Sequence, residues 1–420
     1  MVINLNALIV GITTKNDKYD LDYSLSELKS LAEVLDYKVV FEARQNLDAP
    51  NSKTYIGSGK LNELIFAIRA YDIKTAIFND ELSPTQLKNI EEILNIEVID
   101  RSFLILKIFE LRAKTNEAML EVKLAKNIYM LPRIELMKGE ESRIGGGLYN
   151  KGKGETSKEQ NRRHLLAEIN SIQKKLRQLK EMKQNQIKRR KRNEIPLVSL
   201  VGYTNSGKSS TMNTILNYVN SSDNVLEKNQ LFSTLETKNK KITINNTSFI
   251  LTDTVGFVSK LPHGLVNSFY ETLEEIKESD LIIIVLDSSN KYINTQLNVV
   301  MGVLNMLKAL DIPTIYLLNK WENTIDENME IYGKKTIKYS NKTKLNLDLL
   351  INEIVSEISI SHTSCKLIIP YKESYLISQL EKLAKINNKS YDDNNIYYDC
   401  EIPINYYYLF KDYDKENMVN

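Results

Sequence analysis

The first hundred residues alternate between short apolar runs and longer segments whose apolar residues recur every three or four positions. A short apolar run is typical of a buried strand, whereas the longer spacing is typical of an amphipathic helix. Their alternation predicts a parallel sheet covered by helices. We predict an N-terminal α/β subdomain over residues 1–102, with strands at Ala7–Ile12, Tyr37–Ala43, Thr75–Phe78 and Ile96–Ile99 and helices at Ser24–Leu35, Leu61–Tyr71 and Ser83–Leu94.

Two of these helices start with residues that favour a helix N-terminus. Ser24 is the expected N-cap of the first, and Ser83 is the expected N-cap of the last, with Pro84 and Gln86 completing its first turn. The segment Gly57–Lys60 has the composition of a phosphate loop but not its spacing. We interpret it as a loop that leads into a helix, and contact with an anion is the alternative.

Two long helical patterns follow, one over residues 103–138 and one over Thr156–Asn193. Pro132 should bend or end the first. The second has apolar residues at alternating steps of four and three, which is a heptad seam, at Leu165, Ile169, Ile172, Leu176 and Leu179. We predict an antiparallel two-helix arm over residues 103–193, roughly 45–50 Å long, with the glycine-rich loop 139–156 at its tip.

A phosphate-binding loop follows the apolar run Leu197–Val201, which is predicted to be a buried strand. Gly202, Gly207, Lys208 and Ser209 have the spacing G-x-x-x-x-G-K-[ST], and a helix is expected from about residue 208. The lysine places a positive charge on the terminal phosphates, and the serine hydroxyl can bind Mg²⁺. The candidate nucleotide-binding residues here are Gly202, Asn205, Ser206, Gly207, Lys208, Ser209 and Ser210.

The next motif is Asp253-Thr-Val-Gly256, at the end of another predicted strand. We expect Asp253 to bind Mg²⁺ through water and the Gly256 N–H to contact the γ-phosphate. Thr234 is the candidate switch threonine and metal ligand, with Thr237 as the alternative. Phe257 stands where many GTPases have a water-orienting glutamine, so intrinsic hydrolysis should be slow.

A guanine-recognition motif follows a later apolar strand, Pro313–Leu318. In Asn319-Lys320-Trp-Glu322, the carboxylate can accept hydrogen bonds from two N–H groups of guanine, a donor pair that adenine lacks. Ser340, Asn341 and Lys342 should complete the base pocket. Together these motifs predict a Ras-like P-loop domain over residues 197–360, followed by a small C-terminal α/β unit over 361–420.

The net charge of +2 hides an uneven distribution. Between Ser157 and Arg192 there are thirteen Lys or Arg residues and three acidic ones, and the segment ends in the basic block Lys188–Arg192. The positive side chains of such a helix repel one another, and binding to the negative phosphates of a nucleic acid reduces that repulsion. We therefore predict a nucleic-acid partner, and a solvated helix face is the alternative.

The 420 residues are enough for several domains that each bury a core. Two cysteines and three histidines are too few for a disulfide framework or a metal cage. The strongest apolar run, Leu281–Leu286, is too short to span a bilayer. We expect a cytoplasmic monomer without membrane contact.

These motifs together resemble the HflX family of translation-factor-related GTPases over nearly the whole length of the chain. The resemblance rests on Tyr55–Leu61, Asp80–Gln86 and Val98–Arg101 near the N-terminus, on Ser142–Gly147, Gly152–Thr156 and Arg162–Arg163 in the arm, and on Gly202–Ser209, Leu231–Leu235, Asp253–Val258 and Leu261–His263 in the nucleotide domain.

The resemblance implies GTP hydrolysis and binding to the large ribosomal subunit and its RNA. It further implies insertion of the arm toward the peptidyl-transferase centre, with splitting of stalled ribosomes or, in some members, protection against antibiotics bound there. This chain differs from the usual family pattern at Glu322 (usually Asp), at Asn341 (usually Ala) and in the arm tip. Asn205 lies where related GTPases hold a monovalent cation, which is the basis for a K⁺ hypothesis.

Two other functions remain as alternatives. One is a nucleotide-gated module that binds some other structured RNA, with hydrolysis only timing its release. The other is a dimeric G protein that modifies tRNA, and the lack of a second catalytic centre in the sequence argues against it.

Overall fold

The computed structural model describes residues 5–15, 20–134, 157–192, 195–219, 238–244, 247–260, 273–358 and 362–415. The chain divides into two units, Met1–Glu353 and Ile354–Asn420. The first unit contains a four-stranded and a six-stranded sheet, and the second contains a three-stranded sheet. Among the described residues, we find no helix with both the length and the apolar character that crossing a bilayer requires.

The N-terminal sheet consists of β1 (Leu5–Thr13), β2 (Tyr37–Asn46), β3 (Thr75–Phe78) and β4 (Glu97–Asp100). All its pairings are parallel, in the order β2-β1-β3-β4. The connecting helices are α1 (Leu21–Glu33), α2 (Ser58–Tyr71) and α3 (Pro84–Leu94). The strand order reverses between β1 and β3, and open α/β sheets commonly bind ligands at the carboxyl edge of such a reversal.

The predicted N-cap of α3 is confirmed, and the predicted N-cap of α1 is wrong. At α3, Ser83 accepts from Gln86 N and the Gln86 side chain accepts from Ser83 N, which is the predicted capping box. At α1, the N-cap is Asp20 and not Ser24, because Asp20 Oδ1 accepts from the Asp22 and Tyr23 amides. Ser24 lies buried inside the helix and donates to Asn79 Oδ1 at 3.0 Å.

The predicted single helix over residues 103–138 is also wrong, because two helices lie there. α4 (Arg101–Arg112) ends where Ala113 adopts an extended conformation. α5 (Asn116–Ile134) starts anew, with Thr115 Oγ1 accepting from Ala118 N at 3.2 Å. The four polar residues Lys114–Glu117 interrupt the apolar spacing at this break, and the prediction of one helix passed over them.

The third long helix is α6 (Ser157–Arg192), which packs on α5 through one apolar cluster. Leu124 of α5 is buried there with three residues of the predicted seam, Ile169, Ile172 and Leu176. Further along α6, Lys180 Nζ pairs with Glu274 Oε2 at 2.7 Å, in the short 3-10 helix Glu274–Glu278. The predicted tip loop 139–156 lies outside the described residues, and the antiparallel arm stays a prediction.

The six-stranded sheet has the order β10-β9-β8-β5-β7-β6, and only β6 is antiparallel to its neighbour. Its strands are β5 (Leu197–Gly202), β6 (Lys238–Ile244), β7 (Thr247–Asp253), β8 (Leu281–Asp287), β9 (Thr314–Asn319) and β10 (Thr336–Lys338). The accompanying helices are α7 (Lys208–Tyr218), α8 (Ile293–Met306) and α9 (Leu347–Ile358). Because β5, β8 and β9 are adjacent and parallel, the loops after their carboxyl ends meet at one edge.

One apolar cluster joins the N-terminal domain to the nucleotide domain. It contains residues of α1 and α4, such as Leu25 and Ile105, and residues that follow β5 and β7, such as Tyr203 and Phe257. The two sheets of the first unit therefore share a continuous core close to the phosphate loop.

The C-terminal unit contains an antiparallel sheet in the order β11-β13-β12, with β11 (His362–Pro370), β12 (Lys385–Tyr391) and β13 (Asn395–Pro403). Helix α10 (Ser374–Leu383) and the 3-10 helix Ile404–Leu409 complete it. Tyr406 and Tyr407 of that 3-10 helix pack against the core of the unit. Cys365 and Cys400 are buried free thiols.

Candidate functional site

The phosphate loop lies between β5 and α7, at the centre of the six-stranded sheet. Every residue of β5 is buried, which fixes the point at which the loop begins. Gly207 is the N-cap of α7, and Lys208 is the first residue of the helix. The loop amides and the positive end of the helix therefore face the same side, an arrangement that favours phosphate.

Gly207 is in the left-handed conformation, with φ of 98°. A Cβ atom at this position would lie 2.1 Å from Asn319 Nδ2. That nitrogen donates to Ser206 O at 2.8 Å, so it cannot move away without breaking a buried hydrogen bond. Glycine is required here by both conformation and space.

Lys208 is buried, and its Nζ donates to Gly202 O at 3.1 Å and to Tyr203 O at 2.8 Å. Burial lowers the pKa of Lys208 to about 8, and the carboxylate of Asp253 opposes this shift. The amine is thus held inside the loop, close to where the terminal phosphates bind in P-loop proteins.

Ser209 and Asp253 are brought together as predicted. Ser209 Oγ donates to Asp253 Oδ2 at 2.6 Å, and both residues are buried. Hydroxyl and carboxylate oxygens are the ligands that Mg²⁺ prefers. The pair therefore fits Mg²⁺ bound directly by the serine, with Asp253 bound through water. The third candidate ligand, Thr234, and its alternative Thr237 lie outside the described residues.

Gly256 packs against the phosphate loop. A Cβ atom on Gly256 would lie 2.8 Å from Thr204 Cα and 3.0 Å from Lys208 Nζ. Backbone hydrogen bonds hold this contact, since Phe257 N donates to Gly202 O at 3.1 Å and Thr204 N donates to Phe257 O at 2.8 Å. The Phe257 side chain is buried in the apolar cluster that the nucleotide domain shares with the N-terminal domain.

On the base side of the loop, Asn319 connects the phosphate loop to the segment after β10. Its Nδ2 donates to Ser206 O, and its Oδ1 accepts from Asn341 N at 3.3 Å. Asn341 Nδ2 in turn donates to Gly207 O at 3.3 Å and to Thr211 Oγ1 at 3.2 Å. Two of the segments predicted to bind the base, those that contain Asn319 and Asn341, are therefore hydrogen-bonded to the phosphate loop.

The remaining candidate residues surround this centre. Lys320 is in the left-handed conformation, and its Nζ pairs with Asp287 Oδ2 at 2.7 Å. Ser340 is buried, and its Oγ accepts a hydrogen bond from Thr343 N. Glu322 lies exposed in the 3-10 helix Trp321–Asn323. Lys342 and Asn205 are exposed, and Ser210 lies in the first turn of α7.

Two residues at this site were missed by the sequence reasoning. Tyr203 occupies a variable position of the phosphate-loop pattern, yet its carbonyl accepts from Lys208. Asp287 ends β8 opposite Asn319 and pairs with Lys320. A carboxylate at the end of a buried strand is a signal that could have revealed Asp287. The phosphate-loop spacing contains no such signal for Tyr203.

Three family models match successive parts of the chain. They are described as "GTP-binding GTPase N-terminal" over residues 22–110, "GTP-binding GTPase Middle Region" over 112–190 and "50S ribosome-binding GTPase" over 197–320.

Similar proteins match over nearly the full length. "GTPase HflX" of Caldanaerobacter subterraneus subsp. tengcongensis is 37% identical over 397 residues, which are 94% of this chain and 90% of that protein. "GTPase HflX" of Escherichia coli is 31% identical over 406 residues, with 95% and 93% covered. The crystal structure of the SsGBP and GDP complex aligns at 28% identity and a TM-score of 0.48, covering 84% of this chain and 98% of its own. On the strength of the two sequence relatives, this chain belongs to the HflX family of GTPases.

Proposed function

We propose that this protein hydrolyses GTP to GDP and phosphate at the phosphate loop. The observation that supports this most directly is the convergence of Lys208, Ser209, Asp253 and Gly256 on one buried point. Lys208 would neutralise charge on the terminal phosphates, and the Gly256 N–H would contact the γ-phosphate. Mg²⁺, held by Ser209 and through water by Asp253, would supply charge stabilisation when bound.

Guanine selection would come from the residues around Asn319. The buried Asn319 fixes the base-side loops, Lys320 would cover the base, and Glu322 would accept from the guanine edge. Glutamate extends one methylene further than the aspartate common in the family. We therefore propose that Glu322 preserves the choice of guanine but weakens affinity for it.

Slow intrinsic turnover is part of the proposal, because the buried Phe257 cannot orient the attacking water. The large ribosomal subunit would then accelerate hydrolysis by well over tenfold, which lowers the barrier by about 1.4 kcal/mol or more. Asn205, exposed in the phosphate loop with φ of 60°, is the proposed contact for K⁺.

The lowered pKa of Lys208 should make the affinity for GDP depend on pH. Bound phosphates favour the protonated amine, so binding should raise its pKa above about 8. Well below pH 8 the amine is protonated in both states, and affinity for GDP should be constant. Above pH 8 binding must take up a proton, so affinity should fall by up to about tenfold per pH unit.

Isothermal titration calorimetry between about pH 7 and 9, in two buffers of different ionisation enthalpy, measures both the affinity and the proton uptake. The terminal phosphate titrates near pH 6, so it is ionised throughout this range. A constant affinity without proton uptake at the alkaline end would contradict the lowered pKa.

We propose that the partner is the large ribosomal subunit and its RNA. The support is the charge of α6, which has thirteen basic and three acidic residues over Ser157–Arg192. The arm would reach toward the peptidyl-transferase centre and dissociate or rescue stalled ribosomes. Protection against ribosome-bound antibiotics and nucleotide-gated binding of another RNA are the alternatives. We place the protein in the cytoplasm as a monomer.

Sucrose-gradient sedimentation with each purified subunit tests this proposal. We expect co-sedimentation with the large subunit in the presence of a non-hydrolysable GTP analogue and little with GDP. Equal binding with both nucleotides would contradict nucleotide control, and binding to free structured RNA with the same affinity would favour the RNA-binding alternative.

Two variants distinguish binding to the large subunit from separation of whole ribosomes. Replacing Gly145–Gly154 by a flexible linker should leave subunit binding nearly intact and abolish separation of whole ribosomes. Neutralising Lys188–Arg192 should weaken binding to the subunit and to RNA alike, because it removes positive charges that pair with phosphate. Normal separation by the linker variant would argue against a role for the arm tip.

A further inference from the structure

The two cysteines of the chain, Cys365 and Cys400, both lie in the C-terminal unit. They are 35 positions apart in the sequence, yet they face each other on the neighbouring antiparallel strands β11 and β13. Their sulfur atoms are 3.8 Å apart, and Cys365 Sγ lies 3.7 Å from Cys400 O. The fold therefore brings the whole thiol content of the chain to one point.

The backbone hydrogen bonds of β11 define the geometry of this pair. Lys366 O accepts from Lys415 N at 2.9 Å on the outer edge of β11, so the backbone of Lys366 faces away from β13. Its neighbour Cys365 therefore bonds toward β13, as does Tyr371, whose N donates to Asn394 O at 3.1 Å. Facing residues of this hydrogen-bonded kind have Cα atoms about 5.5 Å apart. Disulfides most often join Cα atoms about 5.5–6 Å apart, so the strands are already at the spacing that a disulfide needs.

The pair is part of the core of the unit. Cys365 is 5% exposed and Cys400 is 0% exposed, and they share one apolar cluster with Leu367, Ile369 and Phe410. A buried thiol can serve as a small apolar residue, but that use does not require two of them to face each other.

The two thiols also differ in acidity. The hydrogen bond between them lowers the pKa of Cys400 and raises the pKa of Cys365. Because the thiolate is the nucleophile, Cys400 is the sulfur that attacks first, and Cys365 is in place to react with the product.

We propose that Cys365 and Cys400 are an oxidation site, at which a hydroperoxide such as hydrogen peroxide converts the two thiols to a disulfide between β11 and β13. The Cys400 thiolate attacks one peroxide oxygen, an S–O bond forms and the O–O bond breaks. The leaving hydroxide takes up the proton that the thiol lost and becomes water. Cys365 Sγ then attacks Cys400 Sγ, the S–S bond forms and the S–O bond breaks, and hydroxide leaves with the Cys365 proton as a second water. The thiols together lose two hydrogen atoms, which reduce one hydrogen peroxide to two water molecules.

The position of Cys365 on β11 gives a small oxidant a route to the pair. β11 lies at one side of the sheet order β11-β13-β12, and an isolated bridge joins its Leu367 to Asp414. Local opening of such a strand requires less free energy than unfolding of the unit, so peroxide reaches the sulfurs during these openings. Because the cytoplasm keeps thiols reduced, the disulfide forms while peroxide is present and is reduced again by thiols afterwards.

The disulfide closes a loop that contains α10 and β12. It restricts the unfolded chain, so the oxidised C-terminal unit is more stable than the reduced one. The chain thereby records exposure to peroxide as a change in the stability of one unit.

Treatment of the reduced full-length protein with hydrogen peroxide tests the proposal. We expect an intact mass lower by two hydrogen atoms, a non-reducing peptide map that joins the two cysteine-containing peptides, and a single chain on a non-reducing gel. Thermal unfolding of the C-terminal unit should shift upward by at least about 5 °C, and dithiothreitol should reverse the shift. A parallel sample of free glutathione shows when an unhindered thiol is fully oxidised.

Cys365→Ala and Cys400→Ala each leave one thiol and are the matched controls. Neither should become more stable with peroxide, and a sulfenic-acid probe should label Cys400 in the first variant faster than Cys365 in the second. The unaltered protein carries the main test, so the proposal stays falsifiable even if an alanine variant does not fold.

Two free thiols in the unaltered protein after the glutathione is fully oxidised would overturn the inference. A disulfide between two chains, or the same upward shift in the alanine variants, would do so as well. No step of the experiment uses a nucleotide, so its outcome is independent of the proposed GTP site.

Discussion

Lys208→Ala should weaken binding of both GDP and GTP by about a hundredfold or more. The substitution removes a buried ammonium group that lies inside the phosphate loop. A hydrogen bond to a charged group contributes about 1.5–3 kcal/mol, and each 1.4 kcal/mol corresponds to a factor of ten in affinity. Removal of two such hydrogen bonds to the phosphates accounts for the expected effect. Titration calorimetry with each nucleotide measures it.

The control is Lys241→Ala, which removes the same charge from an exposed position on β6. It should bind both nucleotides normally. Because Lys208 also donates to the Gly202 and Tyr203 carbonyls, thermal unfolding of Lys208→Ala must show a folded protein. Tight nucleotide binding by folded Lys208→Ala would mean that the loop has been assigned to the wrong ligand.

Gly207→Ala should abolish nucleotide binding and destabilise the nucleotide domain. The added methyl group would lie 2.1 Å from Asn319 Nδ2, in a backbone conformation with φ of 98°. Relief of the clash breaks the buried bond from Asn319 to Ser206 O, which costs about 1–3 kcal/mol for the orphaned groups. Left-handed strain adds about 1–2 kcal/mol. Thermal unfolding and GDP titration measure the two effects.

Gly302→Ala is the matched control. Gly302 lies in α8, and a Cβ atom there would meet nothing within 4 Å. Alanine in a helix is more stable than glycine by about 0.5–1 kcal/mol, so this variant should unfold at the same or a higher temperature and bind GDP normally. Similar losses in both glycine variants would show that the effect is not specific to the phosphate loop.

The sequence predicts most strands and helices of the first unit because their signals are local. β8 is an apolar run up to its last residue, Asp287, and the start of α3 contains a complete capping box. The sequence misplaces the start of α1 because Asp20 and Ser24 are both good caps, and only the fold decides which is buried. The break at Ala113 has no proline or glycine to mark it.

The candidate site is predictable to the extent that its chemistry requires fixed spacing. Lys208, Ser209 and Asp253 belong to motifs whose residues must meet at one phosphate group, and the structure brings them together. The contacts of Asn341 with Gly207 and Thr211 could not be predicted, because they depend on how β10 packs beside β9. The contact of Tyr203 with Lys208 had no signal in the sequence, because it is made by a backbone carbonyl at a variable position of the phosphate-loop pattern.

The ion pair between Lys180 and Glu274 connects α6 to the nucleotide domain at a point far from the first residue of the helix. From Lys180 to its first residue, Ser157, the helix extends over about 35 Å at 1.5 Å per residue. A tilt of about 5° around that ion pair would carry Ser157 through about 3 Å, which is roughly the length of one hydrogen bond. A change of a few degrees at the nucleotide domain, carried by α6 together with the α5 segment packed on it, is thus large enough to make or break a contact at the far end of the helix.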